Sequence, residues 1–294
     1  MGILSSSRKN AAANKTESPY QLTIEPPKGW QLIDWRELVA YRDLFYFLVQ
    51  RDVKVLYKQT VLGFAWAVIR PLFSMVIFTV IFGNLAKVSS DGVPYAVFNY
   101  VALVPWLYFS GSMNDAAMSL VGNTSMLTKV YFPRLVFPMT GVIAKLVDFA
   151  IASLITAALM LWFQVTPTWN IVFLPLLILL MMLTAAGIGM WLASLAVQFR
   201  DIKHAMPFVT QVMMYGAPVV WPVSLIEERY GATARLFYGL YPMAGVIEGF
   251  RSALLGTQPM PWDLIGMGSL AAILVFTSGL FYFRRMEYLF ADVA

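Results

Sequence analysis

The 294-residue sequence has no cysteine and a single histidine, His204. The first absence excludes disulfides, thiol catalysis and thiolate metal sites, and the second excludes multi-histidine zinc or iron sites such as HExxH. Charge is also scarce, at 13% Asp, Glu, Lys and Arg, where soluble globular domains carry about a quarter. No Gly-Lys pair occurs, so a phosphate-cradling GxxxxGK[ST] loop is ruled out, and no GxSxG nucleophile elbow is found. This chain alone is therefore not expected to hydrolyse ATP or to be an enzyme; catalytic residues, metal ligands and cofactors of its own are all read as none. A proton relay of neighbouring carboxylates is missing too, because Asp115 and Asp148 fall in or beside different apolar runs with no second acid nearby in sequence.

What the chain has is apolar surface. Hydrophobic residues make up 59% and aromatics 15%, and mean hydropathy is +0.68, which marks a membrane protein. Apolar runs at about Val61–Leu85, Tyr95–Met113, Leu135–Phe163, Ile171–Val197, Pro207–Val223 and Ile265–Phe283 predict an all-α polytopic fold of six transmembrane helices. The polar N-terminus lacks a signal-peptide core. With it inside, fifteen of the 21 Lys and Arg fall in inner segments and four, Lys87, Arg229, Arg235 and Arg251, in outer ones, which predicts both termini in the cytoplasm. The excess of five positive charges is thus a topology signal and not a nucleic-acid footprint. The expected organisation is a disordered N-terminus over 1–29, an amphipathic interface helix over 30–58, the six-span domain over 59–284 and a cytoplasmic tail over 285–294.

Several side chains stand out against this background. Trp35, Leu38, Tyr41, Phe45 and Leu48 recur at helical steps, with Arg36, Asp43, Lys54 and Lys58 roughly opposite, the pattern of a helix lying at the headgroup level. A topology anchor and a gate both fit it, and periodicity alone favours the anchor. Residues 224–258 carry Glu227, Glu228, Arg229, Arg235, Glu248 and Arg251, broken by Gly231, Gly239, Pro242 and Gly245. They are too charged for one span and predict two short re-entrant or interfacial outer helices bent at Tyr241-Pro242, between spans five and six. Lys145 and Asp148, three residues apart, predict a mutually neutralising pair, which suits a satisfied pair facing the bundle and, less simply, a path-lining or relay pair. Arg70, before Pro71 in the first span, suits either an anionic ligand group or snorkelling to the headgroups. Trp106, Phe109, Tyr215 and Trp221 suit stacking on sugar rings, with helix packing the plainer account. Ala185, Ala186, Gly187 and Gly189 read as a close helix-packing patch.

Three stretches carry a family resemblance: RDVKVLYKQTVLGFAWAVIRPL (51–72), SLVGNTSMLTKVYFPRLVFP (119–138), and FRDIKHAMPFVTQ (199–211) resuming at YPMAGVIEGFRSALLG (241–256). Together with the span spacing, the chain after about Trp30 resembles the membrane subunit of ABC-type polysaccharide exporters, permeases for lipid-linked O-antigen, capsule or teichoic-acid chains. The resemblance implies a homodimer in the bacterial inner membrane with two copies of a separate ATPase subunit, which would bind ATP and Mg, and membrane lipids around a lipid-linked polysaccharide substrate. It assigns Asn123, Lys129, Tyr131 and Arg134 to coupling with the ATPase. Tyr241, Pro242, Glu248 and Arg251 would belong to an outer gate, and Arg70, Trp106, Phe109, Tyr215 and Trp221 to the substrate path. The sequence departs from the family's usual Ser-Pro-Val-x-Tyr-Pro at Ala217–Pro222 and from its usual Asn-Pro at Tyr241-Pro242. A permease of a related drug or small-lipid exporter is the alternative, and an intramembrane enzyme on lipid-linked sugars is disfavoured by the missing acid/base and metal groups.

Overall fold

The structure, a computed structural model, describes residues 39–57, 65–127, 132–287 and Phe290. Among these, all regular structure is helical. In chain order the helices are α1 (Arg42–Tyr57), α2 (Ala65–Phe78), continued by a π-helical stretch Thr79–Leu85, α3 (Tyr95–Gly122), a short α4 (Thr124–Leu127), α5 (Val136–Trp162), α6 (Leu174–Gln198) led by a 3-10 turn Trp169–Phe173, α7 (Asp201–Gly216), α8 (Ser224–Tyr238), α9 (Pro242–Leu255) and α10 (Trp262–Met286). The expectations for residues 1–38, for Lys58, and for Lys129 and Tyr131 lie outside the described residues.

Four segments are long and apolar enough to cross a membrane: Ala65–Leu85, Val136–Trp162, Trp169–Gln198 and Trp262–Met286. They match the first, third, fourth and sixth apolar runs to within a few residues. α3 is less apolar than these, and its position explains why it can be. Nineteen of its 28 residues are buried, with α6, α5, α9 and α2 packed around it. A helix enclosed by protein does not need the uniformly apolar surface that lipid demands, and polar side chains, Asn99, Ser110 and Ser112, are buried there, Ser110 donating to the Leu107 carbonyl.

Over the fifth apolar run, Pro207–Val223, the structure has a helix, Asp201–Gly216, followed by non-helical backbone through Val223. Pro218 and Pro222 stand in that stretch and supply no amide hydrogen to a helical ladder. Sixteen helical residues rise about 24 Å, short of the roughly 30 Å hydrocarbon core.

Small residues set the closest helix approaches. A Cβ added at Gly187 would lie 2.7 Å from the Phe276 Cα of α10, and one at Gly189 would lie 2.5 Å from the Ala116 Cβ of α3. With Ala185 and Ala186 buried beside them, α6 presents small faces to both neighbours, as its composition predicts. α1 docks on α5. Leu48 is fully buried and Tyr41 and Phe45 partly so, while Asp43 and Lys54 are exposed, as are Tyr46 and Phe47.

Candidate functional site

The outer-gate candidates converge on the end of α7. Residues 217–223 follow that helix without a regular hydrogen-bond ladder, and side chains from two other helices, α3 and α9, bond to their backbone. Arg251 of α9 donates from Nη2 to the Val219 carbonyl at 2.8 Å and from Nη1 to the Trp221 carbonyl at 3.2 Å. Tyr95 of α3 donates its hydroxyl to the Val220 carbonyl at 2.6 Å. The Val223 amide donates to Glu248 Oε1 at 3.0 Å, and the same oxygen accepts from Arg251 Nη1 at 2.8 Å. Further back, Tyr238 donates to the Gly216 carbonyl and Tyr241 to the Met213 carbonyl. Buried irregular backbone needs partners for its polar groups, and here side chains bond the Val219, Val220 and Trp221 carbonyls and the Val223 amide.

Arg251 has no exposed surface. Its charge is offset by Glu248 one turn earlier and by the Phe98 ring, whose centroid lies 3.7 Å from the guanidinium carbon. The expectation of a bend at Tyr241-Pro242 matches two helices separated there, with Pro242 opening α9. Thirteen of the 14 residues of α9 are buried, so α9 is an interior helix of the subunit. It can be one because Gly245 meets the Leu264 backbone, 2.8 Å from where a Cβ would stand. α8 is its opposite: no residue of it is buried, and Gly231 at φ 83° divides it. Arg235 ties α8 to α10 through Asp263 at 2.8 Å and also binds Glu227 at 2.5 Å. Partial burial alone would lower the pKa of Arg235, but these two carboxylates outweigh it and hold the guanidinium above its ordinary value. Asp91, Glu227, Arg235, Glu248 and Gln258 line a pocket of about 80 Å³ between these segments.

The path candidates separate into two groups. Trp106 is 2% exposed and Phe109 0%, their rings 5.6 Å apart within the core. Side chains without accessible surface meet no sugar, so helix packing accounts for both and the path assignment is not carried forward for them. Tyr215 is 66% exposed and Trp221 partly so, the latter against the Tyr238 ring. Arg70 is exposed, 5.5 Å over the Trp66 ring, and has no ion-pair partner among the described residues. The structure adds a stripe that the sequence reading missed: His204, Phe208, Gln211 and Tyr215 are all exposed along α7, with Gln211 donating to the Tyr215 hydroxyl. Their spacing of four, three and four residues was the available signal. A polar and aromatic helical face suits water or another protein surface better than lipid tails.

Of the coupling candidates, Asn123 caps α3 through its side-chain amide on the Ser119 carbonyl at 2.8 Å. Arg134 donates to the Glu287 carbonyl at the end of α10, so it braces the subunit itself. Lys145 and Asp148 do pair, at 3.3 Å, and Asp115 joins them at the same distance from the Lys145 ammonium.

The buried charges and the exposed polar helix face thus sit in a helical chain with four segments apolar enough to cross a membrane. The chain belongs to the ABC-2 type transporter family, whose model matches residues 43–255. It is 28% identical over 255 residues to the O-antigen export system permease protein RfbA of Myxococcus xanthus, covering 86% of this chain and 96% of that protein. Similarity extends to an RfbA permease of Klebsiella pneumoniae, 26% identical over 85% of this chain and 95% of the relative. The polysialic acid transport protein KpsM of Escherichia coli is 23% identical over 82% of this chain and 92% of its own length.

Proposed function

We propose that this chain is the permease subunit of an ATP-driven exporter that moves lipid-linked polysaccharide across the bacterial inner membrane, acting as a homodimer with two copies of a separate ATPase. The observation that carries the reading is the family match over 43–255 together with near full-length similarity to permeases named for O-antigen and polysialic acid export. The exposed stripe of α7 supports it. In this reading α7 and the 217–223 backbone that continues it together make the fifth of six crossings, α8 faces outward, and both termini are cytoplasmic. Arg70 meets the anionic lipid pyrophosphate. Phe208 and Tyr215 then offer ring faces to successive sugars while Gln211 and water serve their hydroxyls. Aromatic contacts contribute about 1 kcal/mol each, enough to hold a polymer yet let it slide. ATP and Mg act on the partner subunit. Closure of that partner moves the spans as rigid bodies.

Topology offers a direct test, because the chain has no native cysteine. Single cysteines at Ser90 and Thr233 are expected to react with an impermeant thiol reagent in right-side-out vesicles, while cysteines at Ser5 and Ala294 stay protected. Labelling at Ala294 would overturn the six-span arrangement. The transport assignment is tested by purification: the chain should turn over no lipid-linked sugar alone and should recover an ATPase when isolated from its native membrane. Turnover by the isolated chain would make it an enzyme instead.

A further inference from the structure

Tyr57 is the last residue of α1, and its phenol donates to Asp148 Oδ1 on α5. The other oxygen of Asp148 lies 3.3 Å from the ammonium of Lys145, one turn earlier on the same helix. That ammonium also lies 3.3 Å from Asp115 Oδ2 on α3. A glycine eases the approach of α5 to α3: a Cβ at Gly141 would meet the Asp115 backbone at 3.1 Å. One ammonium thus serves two carboxylates on different helices, and a phenol from a third helix completes the set. Six residues before Tyr57, the Arg51 guanidinium reaches the Met126 sulfur on α4, at 3.5 Å. α1 therefore touches the α3–α5 connection and the charged cluster at two points about 9 Å apart along its axis.

We propose that Tyr57, Asp148, Lys145 and Asp115 are positioning residues that link movement of α1 and the α3–α5 connection to the spans α3 and α5 during export. The inference rests on the exporter reading above. Partly buried ion pairs add little net stability, but their directional geometry fixes register between elements. A cluster with one cation for two anions also offers discrete alternative pairings, which is what a two-state mechanical element requires. Apolar packing of α1 through Leu48 would suffice for anchorage alone.

The test uses the permease with its ATPase, reconstituted in proteoliposomes, reading ATP hydrolysis and polysaccharide exported per ATP. Tyr57→Phe keeps the ring and removes the donor; Lys145→Met keeps the stem and removes the charge. Each is expected to leave complex abundance and ATP hydrolysis near wild type and to lower export per ATP by about fivefold or more, the lower end of typical coupling between sites. Lys145→Arg should retain most export per ATP. Tyr57 and Asp115 belong to one linkage, so Tyr57→Phe combined with Asp115→Asn should lose no more than the worse single variant, whereas independent sites would multiply their losses. Should Lys145→Met fail to accumulate, Tyr57→Phe and the combined variant still decide the matter. Unchanged export per ATP in Tyr57→Phe, or multiplicative losses, would overturn the link while the exporter reading stands. A wild-type complex that hydrolyses ATP but exports nothing would overturn both.

Discussion

Replacing Arg251 with methionine is expected to deplete folded subunit from the membrane. The substitution keeps an unbranched stem but removes the donors to the Val219 and Trp221 carbonyls and leaves the Glu248 carboxylate buried without its cation. Breaking one partner of a buried pair costs about 3–5 kcal/mol, a large part of the 5–15 kcal/mol that a typical domain has in total. Arg251→Lys should recover only part of this, since one ammonium cannot reproduce a planar fork aimed at separate acceptors. Membrane abundance and thermal unfolding in detergent measure the effect. Normal abundance with export lost would instead make Arg251 a moving part of the gate.

The second large effect is a contrast between two aromatic positions. Trp106→Ala is expected to lose abundance and export in step, because a fully buried tryptophan cut to alanine costs about 3–5 kcal/mol and Trp106 is 2% exposed in the core. Tyr215→Ala and Phe208→Ala remove rings that are 66% and 69% exposed, so abundance should hold while export per folded subunit falls. Equal specific export by wild type and both α7 variants would exclude this face from the path.

Most of the fold was legible because lipid enforces it. Each apolar run that became α2, α5, α6 or α10 is long and continuous, and the small residues at 185–189 announced the packing that the structure shows at Phe276 and Ala116. What failed to read were features decided by partners remote in sequence. The complete burial of Arg251 could not be read because nothing in its own helix reveals the Val219 and Trp221 carbonyls, about 30 residues earlier, to which it donates. Trp106 looked available for stacking because its helix gives no sign of being enclosed on all sides. What holds the irregular backbone of 217–223 was hidden for a related reason, since Tyr95, Glu248 and Arg251 are remote from it in sequence. Lys145 and Asp148 were readable as a pair from their spacing, but Asp115 and Tyr57 join them only through the packing of α3 and α1 on α5.

The exporter assignment is tested most directly by reconstitution. Proteoliposomes holding this chain and its ATPase, supplied with lipid-linked polysaccharide on the ATPase side, should make the glycan accessible to a degrading enzyme on the opposite side in the presence of ATP and Mg. Vesicles lacking either subunit should not. ATP-dependent hydrolysis of the nucleotide with no glycan crossing, or glycan crossing without the ATPase, would contradict the account.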